Sequence, residues 1–167
     1  MPDANEPLRV ITLFTFHAYG TWMPDRPQGY YQNKSGLKAK DQEQATRYRA
    51  RQRETRAVFD DHCQTVMLCS LKTSAPLQFW KLIAIAFDSE HLHLLAGWAD
   101  DRGADRIQQR IKWALTRDLN EEVATRRWFT RNGHHREVRD RAHLDHLRDV
   151  YLPSHRGLCW DRRESAD

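Results

Sequence analysis

Apolar positions along this chain change their period from segment to segment, and each change marks an expected element. Over residues 8–17 (LRVITLFTFH) β-branched and aromatic side chains accumulate and alternate around Leu13 to His17, which predicts a first strand. Residues 38–71 are charged and helix-prone. Tyr48, Thr55, Phe59, Cys63 and Val66 fall there on one amphipathic face, while Arg47, Arg49, Arg51, Arg53 and Arg56 scatter around the helix as solvated charge. Thr73-Ser-Ala-Pro76 is expected to end that helix, because proline cannot continue it and disfavours helical geometry in the preceding residue. Two apolar runs follow, residues 81–87 (KLIAIAF) and 91–95 (HLHLL), separated by Asp88-Ser89-Glu90: two strands and a short turn. Helical period returns over residues 104–126, with Ile107, Ile111, Ala114, Leu115, Leu119 and Val123 on one side. Asp105 near its start and Arg126-Arg127 at its end complement the dipole. Beyond it lie a loop with a short strand near residues 136–139, and a short helix over residues 143–151 carrying Leu144, Leu147 and Tyr151, which Pro153 bends or ends.

The predicted order is strand, helix, strand, strand, helix, short strand, helix. That order fits an α+β fold of the ferredoxin-like, split βαβ kind, with a central antiparallel sheet and an added C-terminal helix carrying the tyrosine. The strand of His91 is expected to be buried and central. A length of 167 residues is most simply one domain over 1–167. Residues 18–36 hold three glycines, two prolines and four aromatic residues and are expected to be loop. Its rings, Trp22 among them, either close an open end of the core or stack on unpaired bases beside Arg26 and Lys34.

Charge narrows the class of partner. Lys plus Arg outnumber Asp plus Glu by 27 to 23 and the pI is about 9.1, a balance that favours polyanions. Arg106, Arg110, Lys112 and Arg117 occupy the outer side of the helix over residues 104–126. There they either meet a phosphate backbone or serve only as solvated charge. The three cysteines, Cys63, Cys69 and Cys159, show no Cys-x-x-Cys spacing, which suits a reducing compartment, and a cytoplasmic location is expected. No apolar run approaches the roughly 18 residues of a membrane helix, and the N-terminus lacks a charged-then-apolar signal, so neither a membrane partner nor export is expected.

Alternation along residues 91–95 sends His91 and His93 to one face and Leu92 and Leu94 to the other. At a rise of about 3.3 Å per residue the two imidazoles stand about 7 Å apart on a rigid backbone, a spacing able to grip one divalent cation. Tyr151 is the only tyrosine downstream of the pair, the others being Tyr19, Tyr30, Tyr31 and Tyr48.

The histidine-hydrophobic-histidine strand His91-Leu92-His93, the Tyr19-Gly-Thr-Trp22 loop after the first strand, and Tyr151 in a C-terminal helix together resemble the single-tyrosine HUH transposases. The resemblance extends to their relatives associated with repetitive extragenic palindromes. It implies that Tyr151 attacks a phosphodiester in single-stranded or hairpin DNA to leave a 5′-phosphotyrosine link. It further implies that His155, four residues after the tyrosine, joins His91 and His93 around Mg²⁺ or Mn²⁺. Self-association as a homodimer is left open. Two positions depart from the pattern: Ser89-Glu90 stands where relatives commonly carry Pro-Asn, and Leu-Pro-Ser-His follows Tyr151 where they carry Asn-Pro. These departures keep a second reading alive, a domesticated protein that binds DNA or RNA hairpins without cutting. A third reading is a hydrolase using His91, His93 and a carboxylate such as Glu90 with a metal-bound water.

Overall fold

The computed structural model describes residues 7–21, 23–25, 27, 29–32 and 35–165. Its elements are β1 (Val10–His17), β2 (Tyr30–Gln32), β3 (Gly36–Lys38), α1 (Gln42–Arg51), α2 (Asp61–Leu77), β4 (Lys81–Phe87), β5 (His91–Trp98), α3 (Ala104–Glu122), β6 (His134–Glu137), α4 (Arg141–His146) and β7 (Cys159–Asp161). The main sheet runs β6-β1-β5-β4-β7, with every pairing antiparallel. Setting β7 aside, the four principal strands stand in the order fourth, first, third, second, which is the split βαβ arrangement. The fold is therefore α+β, and β5 is central as expected.

Alternation sorts the sheet into two faces. Phe14 and Phe16 of β1, Leu92 and Leu94 of β5, and Leu82, Ile85 and Phe87 of β4 point to one side. There they form the larger core with Phe59, Met67 and Leu71, and with Ile107, Ile111, Leu115 and Leu119 of α3. On the other side Ile11, Leu13, Ala84, Ala86 and Leu95 pack under Leu144, Leu147, Leu152 and Tyr151 of the C-terminal segment. The sheet is thus sandwiched, with α2 and α3 on one face and the tyrosine segment on the other.

Several expectations need correction. The single helix over residues 38–71 is two, α1 and α2, separated by an extended strap over residues 52–60. Within the strap Ala57 and Phe59 are fully buried while Arg56 and Val58 are exposed, a period of two. Its backbone pairs elsewhere: Ala57 N–H donates to Tyr19 O at 2.9 Å and Phe59 N–H to Ser89 O at 2.8 Å. Asp60 then starts α2 by accepting from Cys63 N–H at 2.8 Å. Tyr48, placed on the expected apolar face, is 42% exposed. Pro76 does not stop α2. It sits in the last turn, where only one backbone hydrogen bond is forfeited, and the chain leaves the helix through Phe79 at φ 56°, with Arg102 donating to the carbonyls of Gln78 and Phe79. Within the expected loop, β2 and β3 form a small hairpin. Helix α3 stops at Glu122, short of Arg126, and β6 begins at His134 rather than near residue 136. The C-terminal helix is α4 followed by a π-helical turn over Leu147–Tyr151, closed by Leu152 N–H on Leu147 O, then a 3₁₀ turn over Leu152–Ser154. Strand β7 was not expected at all.

Candidate metal and tyrosine site

Strand register assembles the site. His17 stands directly opposite His91, and Thr15 directly opposite His93, on the face away from α2 and α3. The C-terminal segment closes over this face from above. Leu147 and Leu152 are buried in the second core, which presses the π-helical turn between them against the strands. Such turns place a side chain where regular α-geometry would not, and here that side chain is Tyr151.

Donor nitrogens of His91, His93 and His155 lie within 4.8 Å of one another. Ring centroids are 4.9 Å apart for His91 and His93, 4.7 Å for His93 and His155, and 5.5 Å for His91 and His155. Two of the three rings are held by their other nitrogen. His155 Nδ1 lies 3.1 Å from Tyr151 O and 3.0 Å from Leu152 O; carbonyls only accept, so Nδ1 carries a proton and Nε2 is the nitrogen left for a metal. His93 Nδ1 lies 2.7 Å from Thr15 Oγ1, which leaves Nε2 turned into the site. An imidazole oriented through its second nitrogen is the usual preparation of a metal-binding histidine.

Electrostatics agree with that preparation. Burial, reinforced by the neighbouring histidines, lowers His93 to about 3, so it is neutral and ready to coordinate at physiological pH. Tyr151 Oη is 3.2 Å from His93 Nε2, and burial raises the phenol above its ordinary value. The donor set fits one divalent ion: three imidazole nitrogens converge, and the second nitrogens of His93 and His155 are already engaged, by Thr15 and by two backbone carbonyls. His93 is only 7% exposed, so it is no surface histidine.

Two anchors fix the tyrosine segment. Arg148 of the π-helical turn makes a bidentate pair with Asp161 of β7, Nε to Oδ2 at 2.8 Å and the terminal nitrogen to Oδ1, each side chain 12% exposed. Gly157 N–H donates to Phe87 O at 2.9 Å, and the buried Gln64 bridges Leu158 N–H to Phe59 O.

Other expected site residues lie elsewhere. The basic helix is not beside the histidines, because α3 covers the opposite face of the sheet. Arg106, Arg110 and Arg117 are exposed there. Lys112 is half-buried and donates to Thr130 O and, at 2.8 Å, to Arg131 O, holding the loop before β6. Glu90 pairs with Arg56. Trp22, Arg26 and Lys34 lie outside the described residues. Sequence reading missed Thr15 and His17, whose signal was their alternation with Phe14 and Phe16. Trp113 was also missed; it shares the outer stripe of α3 with the arginines and is 62% exposed.

No family model matches the chain, and no curated protein does. Among solved structures it is similar to that of a REP-associated tyrosine transposase bound to a REP hairpin. Identity is 12%, 92% of this chain and 71% of that chain are covered, and the TM-score is 0.43. No helix among the described residues is long and apolar enough to cross a membrane.

Proposed function

We propose that this chain cuts and rejoins single-stranded DNA by transesterification at Tyr151, with a divalent metal held by His91, His93 and His155. One observation carries the reading: a half-buried tyrosine hydroxyl 3.2 Å from the central member of three converging imidazoles. In the proposed step the Tyr151 oxygen attacks phosphorus as the bond from phosphorus to the 3′-oxygen breaks. The products are a 5′-phosphotyrosine and a free 3′-OH. The proton lost by the phenol is balanced by the one the 3′-oxygen takes up, and one phosphodiester replaces another, so a new 3′-OH can reverse the step. Bound metal would supply charge neutralisation at the phosphodiester and ease ionisation of the phenol. Of the two ions expected, Mn²⁺ suits imidazole donors better than Mg²⁺, which prefers oxygen ligands. The chain's own contribution is placement: the π-helical turn aims Tyr151, the Arg148–Asp161 pair holds that turn, and Thr15 holds His93.

Incubation with short hairpin DNA bearing single-stranded flanks and Mn²⁺, followed by denaturing electrophoresis, tests this. A slower band that is absent from the Tyr151→Phe protein supports the proposal. Tight binding with no such band in the unmodified protein defeats it and leaves the non-cleaving hairpin binder.

A further inference from the structure

Helix α3 carries on its outer face a feature the reaction above does not use. Positions 106, 110, 113 and 117 recur at helical spacing along one stripe, and they are Arg, Arg, Trp and Arg, all exposed. A tryptophan 62% open to water is unusual on a helix whose other face is fully buried at Ile107, Ile111, Leu115 and Leu119. Its ring is not loose: the Arg117 guanidinium carbon lies 5.1 Å from the indole centroid, and Arg117 is in turn fixed by Asp118 at 2.6 Å. A flat aromatic plate flanked by cations at regular intervals complements a strand that alternates bases with phosphates.

We propose that this stripe docks single-stranded nucleic acid away from the cutting site, Trp113 stacking on one base while Arg106, Arg110 and Arg117 contact neighbouring phosphates. The inference rests on the reading that the chain acts on single-stranded DNA. Because α3 and the histidines lie on opposite faces, the stripe sits roughly 20 Å from Tyr151, about a helix diameter plus the sheet. A strand held at both places rounds the β6 edge, where Arg131, His134 and Arg136 are exposed. His134 there stands opposite Thr15, the partner of His93. The docked part is unpaired, since a duplex buries its base faces within the stack.

The test is fluorescence anisotropy on the full chain, with a labelled oligothymidylate and an abasic strand of equal length. Trp113→Ala should weaken oligothymidylate binding by about tenfold, a typical loss for one stacked base. It should leave the abasic strand unchanged and leave thermal unfolding where it was. Arg110→Gln should weaken both ligands and lower the slope of log affinity on log salt by about 0.7. Oligothymidylate binding by Trp113→Ala within twofold of the unmodified protein overturns the proposal. So does an equal loss on both strands, or an unchanged affinity accompanied by loss of a dimer, which would make the stripe a protein interface. Binding that depends on Trp113 in a protein forming no tyrosine adduct would sink the transesterification reading while supporting the stripe.

Discussion

Tyr151 Oη and His93 Nε2 lie 3.2 Å apart, and that nitrogen is the one Thr15 leaves facing the site by engaging Nδ1. When Thr15 accepts from Nδ1–H, the Nε2 lone pair has two claimants, the phenol proton and a metal ion. Coordination through Nε2 would displace the phenol from His93 and leave the Tyr151 oxygen free beside the three imidazoles.

Tyr151→Phe removes one claimant and keeps the ring. Metal affinity should then rise by about fivefold, the equivalent of one neutral hydrogen bond worth about 1 kcal/mol. Titration calorimetry with Mn²⁺ or Co²⁺ reads this directly. An affinity that is unchanged or weaker would mean that Nε2 is not the ligand atom.

Thr15 is the counterpart. Its hydroxyl is the described partner of His93 Nδ1, at 2.7 Å in a buried setting. Thr15→Val keeps the shape and removes the contact, so ring orientation is no longer fixed. Metal affinity should fall by about 10- to 100-fold, the range found when an outer partner of a metal-binding histidine is lost, and Thr15→Ser should recover most of it. Equal affinities for all three proteins would show that packing alone orients His93.

How far these features were legible depends on what each needs. The hairpin of β4 and β5 reads directly, because two apolar runs flank a polar turn and the alternation of His91 with Leu92 fixes the faces. The placement of α3 was within reach as well. Two right-handed crossovers put both helices on the side of Leu92 and Leu94, which leaves the histidines on the other. The strap over residues 52–60 was misread because Phe59 and Cys63 stand at a helical spacing by coincidence, and a period of two over Ala57 and Phe59 is too short to stand out among charges. The π-helical turn has no local signature, since it arises from burying Leu147 and Leu152 together. Alternation with Phe14 and Phe16 puts Thr15 and His17 on the polar face of β1, but that they stand opposite His93 and His91 is set by register with β5, a long-range fact that no window of sequence contains.

The Arg148–Asp161 pair ties the tyrosine turn to β7, and it has a pH signature. Burial pushes the Asp161 carboxyl up, but hydrogen bonds from Arg148 and Arg163 outweigh this and hold it at about 2, against an ordinary 3.8. A carboxyl more acidic in the folded protein adds stability that is complete above pH 3.8 and is lost as the pH falls through about 2. Asp161→Asn leaves Arg148 buried without its counter-charge and should cost about 3 kcal/mol at neutral pH. Denaturant melts of both proteins should show the gap narrowing across that acid window. A gap constant with pH would mean that the loss comes from packing.

The loop that carries His155 depends on a glycine with no room for a side chain. A Cβ on Gly157 would sit 2.6 Å from Phe87 O and 2.6 Å from Gln64 Oε1, and the first of these is backbone at the end of β4 that cannot swing aside. Gly157→Ala must therefore lift the segment off β4. That loosens the Gly157 N–H bond to Phe87 O and the Leu158 N–H bond to Gln64, and it shifts His155 two residues upstream. Overpacking of this kind costs about 1–3 kcal/mol, which a thermal melt will register. The site should suffer more than the fold: with His155 displaced, metal affinity should fall by about tenfold or more, close to the loss in His155→Ala. Combining the two substitutions decides the route. If Gly157 acts through His155, the double variant will bind metal no worse than His155→Ala alone, because the ligand it would misplace is already gone. A Gly157→Ala protein that loses stability but binds metal like the unmodified chain would show that His155 is held by the carbonyls of Tyr151 and Leu152, with no help from the loop after it.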